Sequence, residues 1–392
     1  MGVRKALTGN HAISYAVKLV RPEVIAAYPI TPQTSIVEKL SEMVESGELD
    51  SVMIRVESEH SALAACYGAA LAGARAFTAT SSQGLLYMHE VVHWVSRARI
   101  PMVMAIVSRT INTPWNIWPD HSDFMDQRDA GWVMAYAMDN QEALDLTIQA
   151  FKIGEDPEVY LPVMVGIEGF ILGHTTMPVE IPDEELVREW LGPRRQPYVV
   201  DGGSPIGVGG LTMPEETEDI FYGIQESMES AKRVIERVDK EYGRLFGRSY
   251  GGLTQCYRCE DADYIAVAMG AWSGDLMEAV NALREQGYRA GVVRIRFYRP
   301  FPHEEIWRYA GRAKGVIVFD RSISFGGWGP IFTDLVTGLA TYTDKLPALS
   351  NVVTGIAGVN ITSEDFERIV KRFIETVEKG GKPVFFEWFK KR

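Results

Sequence analysis

Four places in the chain put a chemically active polar side chain directly after a short apolar run. The residues concerned are Thr31, Glu59, Ser82-Gln83-Gly84 and Arg109. They supply a hydroxyl, a carboxylate, a polar turn with a glycine, and a guanidinium. A guanidinium binds a carboxylate through two parallel hydrogen bonds, and a carboxylate can stabilise a proton on a basic ring nitrogen. The set therefore suits a small anionic substrate that reacts beside a cofactor with a basic ring nitrogen.

These residues depend on a series of strands for their placement. The apolar runs have strand length and are apolar almost throughout, as strands buried on both faces must be; they cover 24–30, 51–56, 74–81, 101–108 and 159–167. Helical patterns lie between them, at 10–20, 34–46, 60–72, 85–97 and 140–153. Alternating strands and helices predict a parallel sheet covered on both faces, and ligands bind at the carboxyl ends of such strands.

Each of these residues also has an ordinary structural explanation. Glu59 would begin a helix favourably because its charge complements the helix dipole, and Arg109 would serve as a paired surface residue. Glu57 is a second carboxylate two positions earlier, and residues two apart in an extended strand face the same way. The sequence therefore leaves both carboxylates open, while the coincidence at four strand ends favours a site.

The chain divides into three parts. Residues 1–175 are predicted to form a first α/β unit, 176–260 a connector with one long helix near 215–246, and 261–392 a second α/β unit. Strands of the second unit are predicted at 264–270, 290–297, 315–320 and 351–356, and helices at 273–286, 303–312, 329–341 and 363–378. The predicted fold class is α/β, with two doubly wound parallel-sheet domains.

Composition limits the classes of function. The 392 residues include 40 basic and 52 acidic side chains, for a net charge of −12, which argues against nucleic-acid binding and against docking on anionic lipid. No stretch is long and apolar enough to be a signal peptide or a membrane span. Three cysteines, Cys66, Cys256 and Cys259, are too few for a disulfide framework or a four-thiolate cluster. We expect a cytoplasmic protein with no resident metal on this chain.

Two short motifs suggest other chemistry. The string HEVVH matches the zinc-peptidase pattern, with His89 and His93 one helical turn apart and Glu90 as the base. This is the competing enzyme hypothesis, but the motif lies on a helix inside a parallel α/β unit. Cys256 and Cys259 form a lone CxxC, for which incidental pairing or a local disulfide is a better interpretation than a metal site.

Five segments resemble one known family. They are AAYPITPQTSIVEKL (26–40), VESEHSALAACYGAALAGARAFTATSSQGLLYMHEV (56–91), NIWPDHSDFMDQRDAGW (116–132), FYRPFP (297–302) and DRSISFG (320–326). Together they resemble the α subunit of 2-oxoacid:ferredoxin oxidoreductases, in the same order along the chain. HEVVH lies inside the second segment, so the resemblance interprets it as part of a family helix.

The resemblance implies a thiamine diphosphate-dependent enzyme. Such an enzyme decarboxylates a 2-oxoacid, transfers the acyl group to coenzyme A and passes electrons to ferredoxin. The first unit would be the pyrimidine-type cofactor domain and the last a transketolase C-terminal-like domain. Thiamine diphosphate would be shared with a partner subunit, while Mg²⁺ and the iron–sulfur clusters would belong to the β, γ and δ subunits. The GDG…N magnesium-diphosphate pattern is missing from this sequence.

The resemblance also implies roles for individual residues. Glu59 would face the pyrimidine ring of the cofactor, with Glu57 as the alternative, and Arg109 would grip the 2-oxoacid carboxylate. Thr31 would bind substrate, and Asn112 would border the substrate side. The further residues expected near the cofactor are Pro29, Ile30, Ser82, Gln83 and Gly84. Pyruvate is the favoured substrate and a branched-chain acid such as 2-oxoisovalerate the alternative, because the YPITP form resembles the enzymes for both.

Overall fold

The computed structural model describes residues 2–203 and 205–391. Their strands are Val3–Thr8 (β1), Val24–Ala26 (β2), Val52–Ile54 (β3), Ala76–Thr80 (β4), Val103–Ser108 (β5), Val133–Tyr136 (β6), Val163–Glu168 (β7), Thr176–Ile181 (β8), Thr254–Tyr257 (β9), Tyr264–Met269 (β10), Ala290–Ile295 (β11), Phe297–Arg299 (β12), Gly315–Asp320 (β13), Ala348–Val353 (β14) and Phe386–Trp388 (β15). Their α-helices are Gly9–Val20 (α1), Thr34–Glu45 (α2), Glu59–Leu71 (α3), Ser82–Arg97 (α4), Ser122–Met125 (α5), Asn140–Gly154 (α6), Glu184–Leu191 (α7), Pro214–Phe246 (α8), Ser273–Glu285 (α9), His303–Ala310 (α10), Pro330–Leu339 (α11) and Ser363–Glu378 (α12).

The first sheet positions the candidate site. Its strand order is β12-β6-β7-β5-β4-β2-β3, and all neighbours pair in parallel except β12, which is antiparallel to β6. Every residue of β4, β5 and β7 is buried, which explains their continuous apolar sequences. Because β3 and β4 lie on opposite sides of β2, the winding direction changes there. A crevice forms at such a switch point, beyond the carboxyl ends of the strands.

The second sheet has the order β15-β14-β13-β10-β11-β9, with β9 antiparallel to β11 and the other pairs parallel. Helices α9 and α12 cover one face. On the other face, apolar residues of the sheet and of α11 join those of α3 and α4 in one buried cluster. The structure therefore confirms the predicted α/β class with two largely parallel sheets, and it adds that the two units share a core.

One predicted strand is shorter than the sequence suggested. The expected strand 290–297 ends at Ile295, and Phe297–Arg299 crosses to the edge of the first sheet beside β6. The break falls at Arg296, whose side chain is fully buried and bonds to Glu142 of the first unit. An apolar run read alone does not reveal that its last residues pair with a distant strand. The division at 176 and 261 stays a prediction, since β12 belongs to the sheet of the first unit.

Several short strands were not predicted. They are β1, β6, β8, β9 and β15. Strands β1 and β8 pair antiparallel in a small two-stranded sheet, and four of the six residues of β1 are exposed, so its sequence lacks the apolar run that signals a buried strand. Strand β6 is fully buried but has four residues, too few to give a clear period.

The long connector helix agrees with its prediction. Helix α8 begins with Pro214 at its first position, where a missing N–H costs nothing, and Glu216 accepts a hydrogen bond from the backbone N–H of Met213 at 2.8 Å. It ends at Phe246 and is followed by Gly247, whose φ of +77° suits glycine. Its apolar stripe, which includes Val234 and Val238, joins the core formed by α1 and α6. No helix of the described residues combines the length and apolar character that a membrane span requires.

Candidate active site

The predicted site residues lie in the loops that follow β2 and β5 and at the starts of the helices that follow β3 and β4. In the loop after β2, Pro29 and Thr31 are exposed and Ile30 is half-buried. Glu59 is the first residue of α3, behind the cap residue Ser58, and Ser82 is the first residue of α4. These loops leave neighbouring parallel strands at the same edge, so the fold brings together side chains that lie far apart in sequence.

The start of α3 separates the two carboxylates that the sequence left open. Glu57 is exposed, and the hydrogen bond from the Ser61 hydroxyl lowers the pKa of its carboxyl group. Glu59 is half-buried, and its side chain lies against Gly84. A methyl group added at Gly84 would lie 2.8 Å from Cγ of Glu59 and 2.9 Å from its Oε1. Helix α3 begins at Glu59. Glu57 and Glu59 therefore do not point the same way, as two residues so spaced would in an extended strand.

Residues 82–84, here called the Ser82–Gly84 turn, pack against Glu59 through Gly84. Ser82 has a φ of +46°, in the left-handed region that costs most residues free energy. Its Oγ donates a hydrogen bond to the backbone oxygen of Thr110 at 2.7 Å. A Cβ at Gly84 would lie 2.5 Å from Oγ1 of Thr80, so glycine is required for this close approach.

Arg109 is a buried cation held by neutral acceptors. The residue is 4% exposed. Its Nη1 donates to the backbone oxygen of Thr31 at 2.6 Å, and its Nη2 donates to Oε1 of Gln83 at 2.7 Å. Burial lowers the pKa of Arg109, and within the described part of the chain no carboxylate forms an ion pair with its guanidinium. Its Nε has no hydrogen-bond partner among those residues. Donors and charge therefore remain for an anionic ligand.

Asp123, which sequence reasoning did not single out, joins two of these loops. Its side chain is fully buried. Its Oδ2 accepts hydrogen bonds from the backbone N–H groups of Ser82, at 2.8 Å, and Arg109, at 3.2 Å. Burial raises the pKa of its carboxyl group to about 7. The available signal was its place in NIWPDHSDFMDQRDAGW, a polar segment between two strands.

Asn112 lies in the loop that continues from Arg109. Its Oδ1 accepts a hydrogen bond from the backbone N–H of Asn116 at 2.8 Å, while its Nδ2 is buried with no partner among the described residues. Two tryptophans of the same loop, Trp115 and Trp118, are 81% and 52% exposed. The loop therefore presents large apolar side chains near the site.

The two other motifs do not assemble a metal site in the described part of the chain. Nδ1 of His89 lies 2.8 Å from Oε1 of Gln127, and its Nε2 lies 3.3 Å from Nε2 of His93. Oε2 of Glu90 lies 3.6 Å from Nε2 of His60. Residues 2–203 and 205–391 contain no group of three or more His, Cys, Asp or Glu side chains that could hold a metal ion.

The CxxC cysteines are free thiols. Sγ of Cys256 accepts a hydrogen bond from the backbone N–H of Cys259 at 3.3 Å. Burial raises the pKa of both thiols, which disfavours the reactive thiolate.

Two family models match the sequence. Residues 15–240 match the thiamine diphosphate-binding domain of pyruvate flavodoxin/ferredoxin oxidoreductases, and residues 262–366 match core domain II of pyruvate:ferredoxin oxidoreductase. The chain belongs to this family. The first match contains all the predicted site residues, and the assignment to 2-oxoacid:ferredoxin oxidoreductases replaces the zinc-peptidase alternative.

Relatives of two specificities are about equally similar to this family member. The pyruvate synthase subunit PorA of Pyrococcus furiosus is 44% identical over 97% of this chain and 96% of its own length. The ketoisovalerate oxidoreductase subunit VorA of Pyrococcus horikoshii is 42% identical over 99% of this chain and 98% of its own. The chain thus corresponds along its length to the α subunits of thiamine diphosphate-dependent 2-oxoacid:ferredoxin oxidoreductases, and identity does not separate pyruvate from branched-chain substrates.

A solved structure confirms the fold. The 2-oxoglutarate:ferredoxin oxidoreductase from Magnetococcus marinus superposes with a TM-score of 0.71 at 19% identity. The match covers 95% of this chain and 65% of that one. A split-gene transketolase superposes with a TM-score of 0.55 at 12% identity over 93% of this chain, in agreement with the expected transketolase-like architecture.

The residues present fit a thiamine ring. The aminopyrimidine needs a carboxylate that accepts a hydrogen bond from its N1′ nitrogen, and a surface without side chains against which it can lie. Glu59 and Gly84 offer these two features side by side. A β-carbon at Gly84 would crowd the Glu59 carboxylate, so the glycine keeps that carboxylate accessible.

Proposed function

We propose that this chain supplies the aminopyrimidine half of a thiamine diphosphate site in a multi-subunit 2-oxoacid:ferredoxin oxidoreductase, and that its substrate is pyruvate. The overall reaction converts a 2-oxoacid, coenzyme A and two oxidised ferredoxins into acyl-CoA, CO₂, two reduced ferredoxins and a proton. The alternative substrate is 2-oxoisovalerate, which the names of the relatives support equally well.

One observation carries the proposal: a single turn contacts both candidate groups. Gly84 packs against Glu59, and Gln83 accepts a hydrogen bond from Arg109. A cofactor ring beside Glu59 and an anion beside Arg109 would therefore be neighbours. Such proximity is what a reaction between the cofactor and a 2-oxoacid requires.

The cofactor, when bound, supplies the carbon nucleophile for the 2-oxo group and takes up the electron pair released on decarboxylation. Glu59 accepts a hydrogen bond from N1′ of the pyrimidine and so stabilises a proton there. Pro29, Ile30 and the Ser82–Gly84 turn line the cofactor side.

Other residues of the same loops contact the substrate. Arg109 binds the substrate carboxylate through charge-assisted hydrogen bonds. Thr31, which is exposed in the loop after β2, hydrogen-bonds the substrate, and Asn112 borders the substrate side with its Nδ2, which has no partner among the described residues.

In this proposal, partner subunits supply the other groups that the reaction needs. We propose that β, γ and δ subunits hold Mg²⁺, the diphosphate and the iron–sulfur clusters, and that ferredoxin accepts the electrons. Coenzyme A enters after CO₂ has left. We also propose a cytoplasmic location, where these subunits and ferredoxin would be available.

The complex purified at native expression level tests the function. We expect reduction of ferredoxin, or of a viologen dye, that requires both coenzyme A and a 2-oxoacid, with a higher kcat/KM for pyruvate than for 2-oxoisovalerate. The reverse order would assign the chain to the branched-chain type. Activity that needs neither coenzyme A nor a 2-oxoacid would contradict the function.

A further inference from the structure

Four consecutive residues, here called the 120–123 segment, connect the loop after β5 to the second unit. It consists of Asp120, His121, Ser122 and Asp123. All four of its side chains make hydrogen bonds to other segments of the protein, and three of the four are fully buried. Such a segment determines how the parts around it are spaced, because none of them can shift without breaking a buried hydrogen bond.

Asp123 is the member that reaches the site. Its Oδ2 accepts hydrogen bonds from the backbone N–H groups of Ser82 and Arg109 at 2.8 and 3.2 Å, and its Oδ1 accepts one from Phe124 at 2.7 Å. One buried carboxylate thus joins the end of β5 to the start of α4. All three donors are backbone N–H groups, so both oxygens of the carboxyl group act as acceptors.

The same connection continues to the guanidinium group. Oγ of Ser82, which donates to Thr110, lies 2.8 Å from Oε1 of Gln83, and the same Oε1 accepts from Nη2 of Arg109 at 2.7 Å. Asp123 therefore reaches Arg109 by two routes, directly at its backbone and through the Ser82–Gly84 turn. With Ser82 at a φ of +46°, the turn needs such bonds to keep its conformation.

The other end of the segment is anchored on the second unit. Oδ2 of Asp120 accepts a hydrogen bond from the backbone N–H of Ala357 at 3.0 Å, and its Oδ1 accepts from Ser122 at 2.9 Å. The backbone N–H of His121 donates to the oxygen of Arg321 at 3.0 Å. Oγ of Ser122 accepts from the backbone N–H of Ile111, two residues beyond Arg109, at 3.2 Å.

We propose that Asp123 is a positioning residue for the 2-oxoacid: it fixes the Arg109 guanidinium relative to the Ser82–Gly84 turn without contacting the substrate. The inference rests on the proposed role of Arg109 as the carboxylate ligand. Loss of the Asp123 carboxylate displaces Arg109 relative to the Ser82–Gly84 turn, while Glu59, which begins α3 and is not bonded to Asp123 in the described part of the chain, keeps its place.

The test is Asp123→Asn in the assembled complex. Asparagine has nearly the same shape, but its amide nitrogen cannot accept the hydrogen bonds of a carboxylate oxygen. We expect KM for pyruvate to rise about tenfold or more, with kcat and the KM for coenzyme A changed less than threefold. If this variant does not assemble, Asp123→Glu, which keeps the charge but displaces it by one methylene, must raise the same KM.

Asp129→Asn is the matched control, since Asp129 lies in the same stretch with its side chain 82% exposed, and its kinetics should match those of the wild type. A lower melting temperature with an unchanged KM for pyruvate would mean that Asp123 is merely structural and would overturn the inference. If Arg109→Lys also leaves that KM unchanged, the proposed role of Arg109 fails. If Arg109→Lys raises it and Asp123→Asn does not, the inference about Asp123 alone fails.

Discussion

At the scale of single residues, the informative feature is the buried guanidinium of Arg109, which forms no ion pair with a carboxylate of the described residues. Burying a guanidinium is costly unless it is hydrogen-bonded or paired, and Arg109 uses a backbone oxygen and an amide oxygen instead of a carboxylate. A packing role would be served better by an ion pair, as Arg75 shows with Glu155 at 2.8 Å. The arrangement at Arg109 is therefore better suited to binding an anion.

Arg109→Lys tests this interpretation. Lysine keeps the charge but cannot bridge Thr31 and Gln83 while offering a planar fork to a ligand. We expect kcat/KM for the 2-oxoacid to fall about 10- to 100-fold, the equivalent of one charge-assisted hydrogen bond. The KM for coenzyme A should change little, because the substrate carboxylate has left as CO₂ before the thiol reacts.

The matched control is Arg233→Lys, at a side chain that is 74% exposed. If Arg109→Lys lowers the melting temperature but leaves the 2-oxoacid kinetics intact, Arg109 is a packing residue and its proposed role is wrong. Both quantities can be measured on the same preparation.

The carboxylates of the candidate site show which of its residues the sequence could predict and which it could not. Residue types and strand ends were enough to nominate Glu59, Ser82, Gln83 and Arg109. The choice between Glu57 and Glu59 was not available, because it depends on where α3 begins. Asp123 was out of reach because its partners are backbone groups 14 and 41 residues away, which no local pattern reports.

At the scale of elements, long periodic segments were predicted well. Helix α12 spans Ser363–Glu378, as predicted, and α8 differs from its prediction by one residue. The strands β4, β5 and β13 lie within their predicted runs because burial on both faces leaves no polar position.

The prediction of strand ends failed where the end depends on the neighbouring strand with which the segment pairs, and not on its apolar composition. The predicted strand 24–30 contains three residues of β2, because the chain leaves the sheet at Ala27 to form the loop that carries Thr31. The segment 297–299 became an edge strand because β6 offers it a partner. The first of these errors falls at the site, because the loop that carries Thr31 begins where the apolar run outlasts its strand.

At the scale of the whole molecule, buried ion pairs hold the two units together. Glu142 of α6 receives two hydrogen bonds from Arg294, at 2.6 and 3.0 Å, and one from Arg296 at 2.6 Å. Burial alone would raise the pKa of Glu142, but the two guanidinium groups outweigh that effect and lower it to about 2. The carboxylate is thus charged at any physiological pH and pairs with both buried cations, while Oδ1 of Asp239 lies 3.4 Å from Nη1 of Arg296.

Glu142→Gln should weaken the whole fold. Removing one partner of a buried ionic cluster leaves uncompensated charge and costs about 3–5 kcal/mol. Because the folded pKa lies below the ordinary value of 4.5, Glu142 stabilises the folded state fully above that pH. Its contribution is lost as the pH falls from 4.5 toward 2.

Urea unfolding at several pH values would measure both effects. The variant should be less stable at pH 7 and should lose less stability than the wild type between pH 5 and 3. The control is Glu189→Gln on the exposed side of α7, which should unfold like the wild type. Equal stability of the Glu142 variant at pH 7 would show that the cluster does not hold the units together.

The central claim is that this chain brings the carboxylate half of a thiamine diphosphate site to a multi-subunit enzyme. The most direct measurement compares Glu59→Gln and Glu57→Gln in the reconstituted complex, with turnover and bound thiamine diphosphate determined together. We predict that Glu59→Gln lowers turnover by about 10²-fold or more while the cofactor still binds, and that Glu57→Gln stays near the wild-type rate. Near-normal turnover of Glu59→Gln, with loss in Glu57→Gln or in neither, would contradict the claim.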